Sequence, residues 1–297
     1  MARTETKKDG IWETLKTIFW ALVIAMVFRS ALYQPFSIPS GSMKPTLLVG
    51  DYLFVSKYAY GYSHYSLPFA PDWFDGRIWA EMPERGDVVV FKRPGKDACT
   101  QGPIGMAAAL VKSFTGRGRP GPDDCIDYVK RVVGLPGDRI QVKAGILHVN
   151  GQALPTERIG DFIEPKVRRG SPPNLPNCMN EPVAAGGDCA KEHWRETLPG
   201  ERPGGRVHSV LNLVGIVGDT SEPRYSTADN TAETIVPEGF LFFMGDNRDN
   251  SADSRSPMGM VPFENLIGRA EMIALSADGS FLKFWNWRGD RFFKSIE

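Results

Sequence analysis

The chain has 297 residues, enough to bury a full core, and its 35 Lys plus Arg balance 35 Asp plus Glu to give no net charge. With no basic excess to neutralise phosphates, nucleic acid is not expected as a partner. The 31 Gly and 23 Pro cut the sequence into short strands and turns rather than long helices.

Residues 1–14 are polar and of mixed charge, and an unbroken apolar run from Ile18 to Phe28 follows inside the segment Leu15 to Tyr33. A helix over 15–33 reaches about 28 Å at ~1.5 Å per residue, just sufficient for a bilayer core. Lys16 and Arg29 stand near its ends, where long stems snorkel to the interface. Arg29 occupies the place before Ser30-Ala31 that a small residue would need for cleavage, so the segment reads as an uncleaved transmembrane anchor. Arg3, Lys7, Lys8 and Lys16 favour a cytoplasmic N-terminus, with the rest of the chain on the far side of the membrane, where disulfides persist.

Pro35 to Lys57 then passes through Ser40-Gly41-Ser42, flanked by Pro39 and Pro45, into a strand over Asp51 to Lys57. Proline fixes φ and glycine admits a close backbone approach, so this is a stiff loop holding small hydroxyls at the mouth of a strand. Tyr58 to Trp79 is crowded with aromatics, read as loop packing. Val88 to Lys92 carries Val-Val-Val-Phe and reads as a strand buried on both faces. Gly95 to Asp124 is a loop-rich excursion with one short helical candidate, Met106 to Phe114. Asp127 to Gly134 is a strand with Lys130 in an apolar setting, and Arg139 to Val149 is a hairpin turning at Ala144-Gly145.

From Gln152 to about Val236 the chain is richest in Pro, Gly and charge, with strands expected only near Val207 to Val217; it reads as an inserted lobe. Gly239 to Met244 and Ile267 to Ala277 are further strands. The expected division is 1–14, the anchor 15–33, a core 34–150, the lobe 151–236 and the returning core with an aromatic tail, 237–297. In that tail Phe281, Phe284, Trp285, Trp287, Phe292 and Phe293 alternate with Lys283, Arg288 and Arg291. Two readings stand equal for it, a headgroup-facing surface and a terminal strand folded onto the core. Cys99, Cys125, Cys178 and Cys189 lack C-x-x-C spacing. In an oxidising compartment they allow three connectivities, of which Cys178 with Cys189, bracketing a Pro/Gly-rich loop, is favoured.

A serine nucleophile needs a base, and none of His64, His148, His193 or His208 sits in an apolar, turn-bounded setting. Lysine serves instead if burial lowers its pKa from about 10.4 toward neutrality, and Lys130 is the best placed in the sequence. The run Asp246 to Arg255 fails as a calcium loop. With Asp249, Ser251 and Asp253 as first ligands, Ser254 falls where Gly is needed and Met260 where Glu is needed. It reads as a hydrogen-bonded turn network, and neither metal nor cofactor is expected.

Three segments in order, PSGSMKPTL, DYVKRVVGLPGD and GDNRDNSADSR, behind an apolar anchor, resemble the bacterial type I signal peptidases. The likeness covers Phe36 to Lys57, Arg85 to Lys92, Asp127 to Asp138 and Gly239 to Ala270. It implies a mainly β fold, a strand-built catalytic core with an inserted lobe behind one transmembrane helix. It implies Ser42 as nucleophile, Lys130 as general base, and Ser40 with the Ser42 backbone N–H as oxyanion donors. Ser251 would orient Lys130, Asp253 and Arg255 would pair, and Asp246 and Arg248 would help hold the segment together. Phe36, Ile38, Met43, Leu47, Tyr128, Val129 and Ala252 match positions lining shallow substrate pockets. The implied activity is removal of signal peptides from secretory precursors after small-x-small sites, by a monomer in the bacterial inner membrane with its catalytic domain periplasmic. A pilin-type processing peptidase with one dedicated substrate and a β-rich binding protein are the alternatives.

Overall fold

The computed structural model describes residues 8–66, 74–94, 127–200, 203–213, 228–279 and 283–296. A helix, α1 (Lys8–Ala31), leads into β1 (Tyr33–Ser37), β2 (Asp51–Ser56), β3 (Val88–Lys92), β4 (Asp127–Gly134), β5 (Arg139–Lys143), β6 (Ile146–Val149) and β7 (Gln152–Ala153). There follow β8 (Thr156–Pro165), β9 (Asp188–Leu198), β10 (Arg206–Asn212), β11 (Thr234–Ile235), β12 (Phe240–Met244), β13 (Val261–Pro262), β14 (Leu266–Ser276) and β15 (Lys294–Ser295). The fold is mainly β. Its largest sheet runs in the order β1-β2-β14-β3-β4-β12-β13, with β15 added to β14.

Strand β3 shows why that sheet is central. Val88 and Val90 enter one apolar cluster with Met43, Leu47, Leu53 and Ile273, while Val89 and Phe91 enter another with Val132, Phe243 and Leu266. A strand covered on both faces needs an unbroken apolar run, and Val-Val-Val-Phe supplies it. At Gly268 a Cβ would lie 2.2 Å from Ser56 O, so only glycine lets β14 lie this close to β2. The hairpin β5–β6 turns through Ala144 (φ 47°) and Gly145 (φ 77°), as expected, and a smaller sheet runs β11-β5-β6-β7.

The lobe departs from expectation. It is a three-stranded sheet, β10-β9-β8, with two strands of 10 and 11 residues where sequence patterning predicted none. These strands carry charge among their buried positions: Glu157 pairs with Arg195, buried Lys191 faces Glu164 of β8, and buried Glu196 takes Arg248 of the core. Periodicity of hydrophobic residues is blind to such a sheet. The Cys178–Cys189 disulfide closes the loop between β8 and β9. Cys99, Cys125 and the helical candidate Met106 to Phe114 lie outside the described residues.

Among the described residues no helix is long and apolar enough to cross a membrane, so the expected spanning anchor is not shown. Glu13, Lys16 and Arg29 interrupt the apolar sequence of α1. Most of its described large side chains nevertheless face outward: Trp12, Leu15, Phe19, Leu22, Ile24 and Val27 are all exposed. In the tail, Arg291 turns inward onto Asp51 (Nη2–Oδ2 2.6 Å) and Arg288 donates to Val49 O and Ala277 O, while Phe284, Trp285 and Phe293 stay exposed. Two of the three cations are therefore structural pins, and β15 adds a terminal strand to the sheet.

Candidate active site

The loop that follows β1 is drawn tight at its base. Ile38 N donates to Asp51 O (2.8 Å), Gly50 N to Ile38 O (3.0 Å) and Leu48 N to Asp51 Oδ2 (2.8 Å). Gly50 has φ 92° and lies so close to Ala277 O that a Cβ would sit 1.9 Å away. This frame presents Ser42, 8% exposed, to strand β4. From β4, Lys130 Nζ donates to Ser42 Oγ at 2.7 Å and to Val129 O at 2.9 Å, and lies 5.4 Å from the centre of the Tyr128 ring.

Lys130 is 3% exposed. Burial lowers its ammonium to about 8, against the opposing attraction of Asp253 and Asp246. Side chains alternate along a strand, so the neighbouring Arg131 leaves by the other face and meets a different fate. It forks onto Asp246, with Nε–Oδ1 at 2.9 Å and Nη2–Oδ2 at 2.8 Å, while Thr46 donates to the same carboxylate at 2.5 Å. The paired guanidinium holds Asp246 below its ordinary range although burial alone would raise it.

The segment after β12 closes the site. Asp253 takes a two-pronged bond from Arg255 (3.0 and 2.8 Å) and one from Gly245 N (3.0 Å), so the expected pair is formed. Arg248 turns to Glu196 of the lobe, with Nη1–Oε2 at 2.9 Å, and thereby ties the segment to β9. Asn247, which sequence reasoning passed over, donates its N–H to Ser42 O (3.0 Å) and its Nδ2 to Gly41 O (2.8 Å). Gly245 is pressed between these groups; a Cβ there would meet Ser251 Oγ at 2.2 Å and Ser42 O at 2.6 Å.

Other expected residues are placed less simply. Ser251 Oγ is buried without a hydrogen-bond partner among the described residues, and the expected bond to Lys130 is not formed. Ser40 is exposed, with Oγ 3.4 Å from Ser42 Oγ. Ile38, Met43 and Leu47 are core residues, the last fully buried, so they offer no open pocket wall. Phe36, Tyr128 and Val129 are half-buried and Ala252 is exposed, leaving these four at the surface. His208 lies buried against Glu196 (3.4 Å) and Asp246 (4.0 Å), where burial, followed by the Arg131 charge, lowers its pKa. It belongs to the ion network around Glu196 and Asp246. Among the described residues no group of three or more His, Cys, Asp or Glu side chains could hold a metal ion.

A buried amine against a serine hydroxyl, on a mainly β scaffold, is equipment for serine hydrolysis. The sequence model for signal peptidase, peptidase S26, matches residues 11–275, and the chain belongs to that family, whose members are serine peptidases. Signal peptidase I of Rickettsia typhi (strain ATCC VR-144 / Wilmington) is 37% identical over 280 residues, covering 93% of this chain and 85% of the relative. That of Rickettsia canadensis (strain McKiel) is 36% identical over 276 residues, 92% of this chain and 83% of the relative. A crystal structure of a signal peptidase I from Enterococcus faecalis V583 shares 17% identity and covers 64% of this chain and 97% of that one, but at a TM-score of 0.25. That superposition is too poor to bear on the site.

Proposed function

We propose that this protein removes signal peptides from secretory precursors with Ser42 as nucleophile and neutral Lys130 as its base. The observation that carries the reading is the 2.7 Å contact of Lys130 Nζ with Ser42 Oγ inside a buried site. When the ammonium gives up its proton, the amine lone pair accepts the Ser42 proton along the same line. Ser42 Oγ then attacks the carbonyl that precedes the cut, and Lys130 returns the proton to the leaving amine. Water, deprotonated by Lys130 in turn, resolves the acyl-enzyme. Ser40 Oγ and the Ser42 N–H face the developing oxyanion, each contributing about 3 kcal/mol on the usual scale for such donors. Asn247 holds the carbonyls of Gly41 and Ser42 and so fixes the loop from behind.

Substrate would lie extended beside β1, with Phe36, Tyr128, Val129 and Ala252 facing small residues one and three places before the cut. Helix α1 would embed its exposed apolar side chains in the bacterial inner membrane as a single anchor, N-terminus cytoplasmic and catalytic sheet periplasmic. The enzyme would act as a monomer.

The test is cleavage of a precursor with an Ala-x-Ala site, in detergent, by the full chain, Ser42→Ala and Lys130→Met. Loss of product in both variants with folding intact is expected; undiminished cleavage by Lys130→Met would remove the lysine as base.

A further inference from the structure

The serine loop is gripped by a second buried cluster, and the lobe supplies half of it. Lys44, two residues beyond Ser42, is ion-paired with Glu164 of β8. The other carboxylate oxygen of Glu164 lies 3.7 Å from Lys191 Nζ of β9. Lys191 Nζ reaches on to Asn247 Oδ1 at 3.5 Å, and Asn247 is the residue that holds Gly41 O and Ser42 O. Lys44 itself folds back beneath Gly41, where a Cβ would meet its Cε at 3.1 Å. Lys44, Glu164, Lys191 and Asn247 are all buried.

Both branches of this chain of contacts end on the Gly41–Ser42 backbone. One carboxylate therefore serves two ammonium groups, one from the loop and one from the lobe. An apolar contact of the same volume would join lobe to core at no loss of stability, since burying charges is costly even when they are paired. What charges add is direction: the pair distances fix where the loop sits. A displacement of about 1 Å in a reacting group lowers rates by roughly 100-fold, so the position of Ser42 relative to Lys130 is worth fixing.

We propose that Glu164 and Lys191 are positioning residues for the peptidase reaction, acting through Lys44 and Asn247 to set Ser42 Oγ against Lys130. The lobe is then part of the catalytic apparatus without touching substrate. The inference rests on the Ser42–Lys130 reading of the site.

The experiment compares kcat and KM on an Ala-x-Ala peptide for the full chain carrying Glu164→Gln, Lys191→Met and the double change Lys44→Met/Glu164→Gln. Folded fraction is taken from thermal melts, and Ser42→Ala and Lys130→Met serve as reference arms. Glu164→Gln strands two buried ammonium groups, so kcat per folded molecule should fall about 10-fold or more while KM stays within about twofold. Because Glu164 acts through Lys44, the double variant should lie within about threefold of Glu164→Gln in kcat per folded molecule, the non-additivity expected of residues that work as one unit, whereas independent roles would multiply the losses. If Glu164→Gln does not fold, Lys191→Met and the double variant carry the same comparison. Unchanged kcat per folded molecule in the folded variants overturns the proposal. Retained cleavage by the two reference variants overturns the Ser42–Lys130 reading instead.

Discussion

Lys130 and Lys191 are both buried lysines whose ammonium groups are lowered to about 8 by burial, one in the central sheet and one in the lobe. Their neighbours separate them. Lys191 faces the Glu164 carboxylate, which keeps a proton on it, and Lys44 adds a like charge beyond. Lys130 touches a hydroxyl and a carbonyl oxygen, and its nearest carboxylates are already committed, Asp253 to Arg255 and Asp246 to Arg131. A lowered pKa is thus common to both sites and diagnostic of neither. The hydroxyl beside the amine, and carboxylates drawn off to arginines, are what make one of them suited to accept a proton.

The sharpest way to break this contrast is to fix the charge at each position. Lys130→Arg keeps a cation that cannot deprotonate, so kcat should fall by about a million-fold, on the scale of losing a nucleophile or base in a serine peptidase. Lys191→Arg, by contrast, preserves the charge facing Glu164 and should keep activity within about 10-fold. Cleavage assays on the two variants side by side decide it, and equal losses would erase the distinction. The next effect is on stability. Arg131→Met leaves Asp246 buried without its guanidinium and should cost about 3–5 kcal/mol in denaturant unfolding. Gly245→Ala should act the other way round, on rate more than on stability. Its methyl cannot coexist with Ser251 Oγ and Ser42 O where they stand, so kcat should drop about 100-fold with a smaller change in melting temperature.

How much of this was readable beforehand follows from the same physics. The strands of the central sheet announce themselves because burial on both faces demands Val-Val-Val-Phe at 88–91 and Phe-Leu-Phe-Phe at 240–243. Lys130 is conspicuous for the same reason, a charge set among valines, and the Asp253–Arg255 pair is local in sequence. The partners of the remaining charges are not local: Lys44 and Glu164 are 120 residues apart, and Arg131 and Asp246 are 115. In sequence each looks like a solvated surface residue, and only the fold brings the two halves together. For the same reason β8 and β9 passed for loop, since Glu164, Lys191 and Glu196 stand among their buried positions and break the apolar alternation that Ala190, Trp194 and Leu198 would otherwise show. The substrate-pocket residues carried over by resemblance divide along a related line. Met43 and Leu47 are apolar and near Ser42, but apolar character in a loop under a sheet serves the core first.

The smallest expected effect concerns what the buried Lys130 costs the fold. Its pKa is lowered to about 8 from an ordinary 10.5, so the unfolded chain binds the proton more tightly than the folded one. Stability linked to this group therefore rises as pH increases from about 8 to about 10.5, and below that window the buried ammonium is a fixed burden of about 3 kcal/mol. Lys130→Met removes it while losing hydrogen bonds worth about 1 kcal/mol, for a net gain near ~2 kcal/mol at pH 7. The gain should shrink on approaching pH 10, as the wild-type amine becomes neutral. Over the same range the wild-type cleavage rate should climb through an acid limb at about 8, because only the neutral amine accepts the Ser42 proton. Melting curves and rate profiles on the same samples would link the two: a variant no more stable at pH 7, or a limb far from 8, would mean that Lys130 does not carry a buried charge in the resting enzyme.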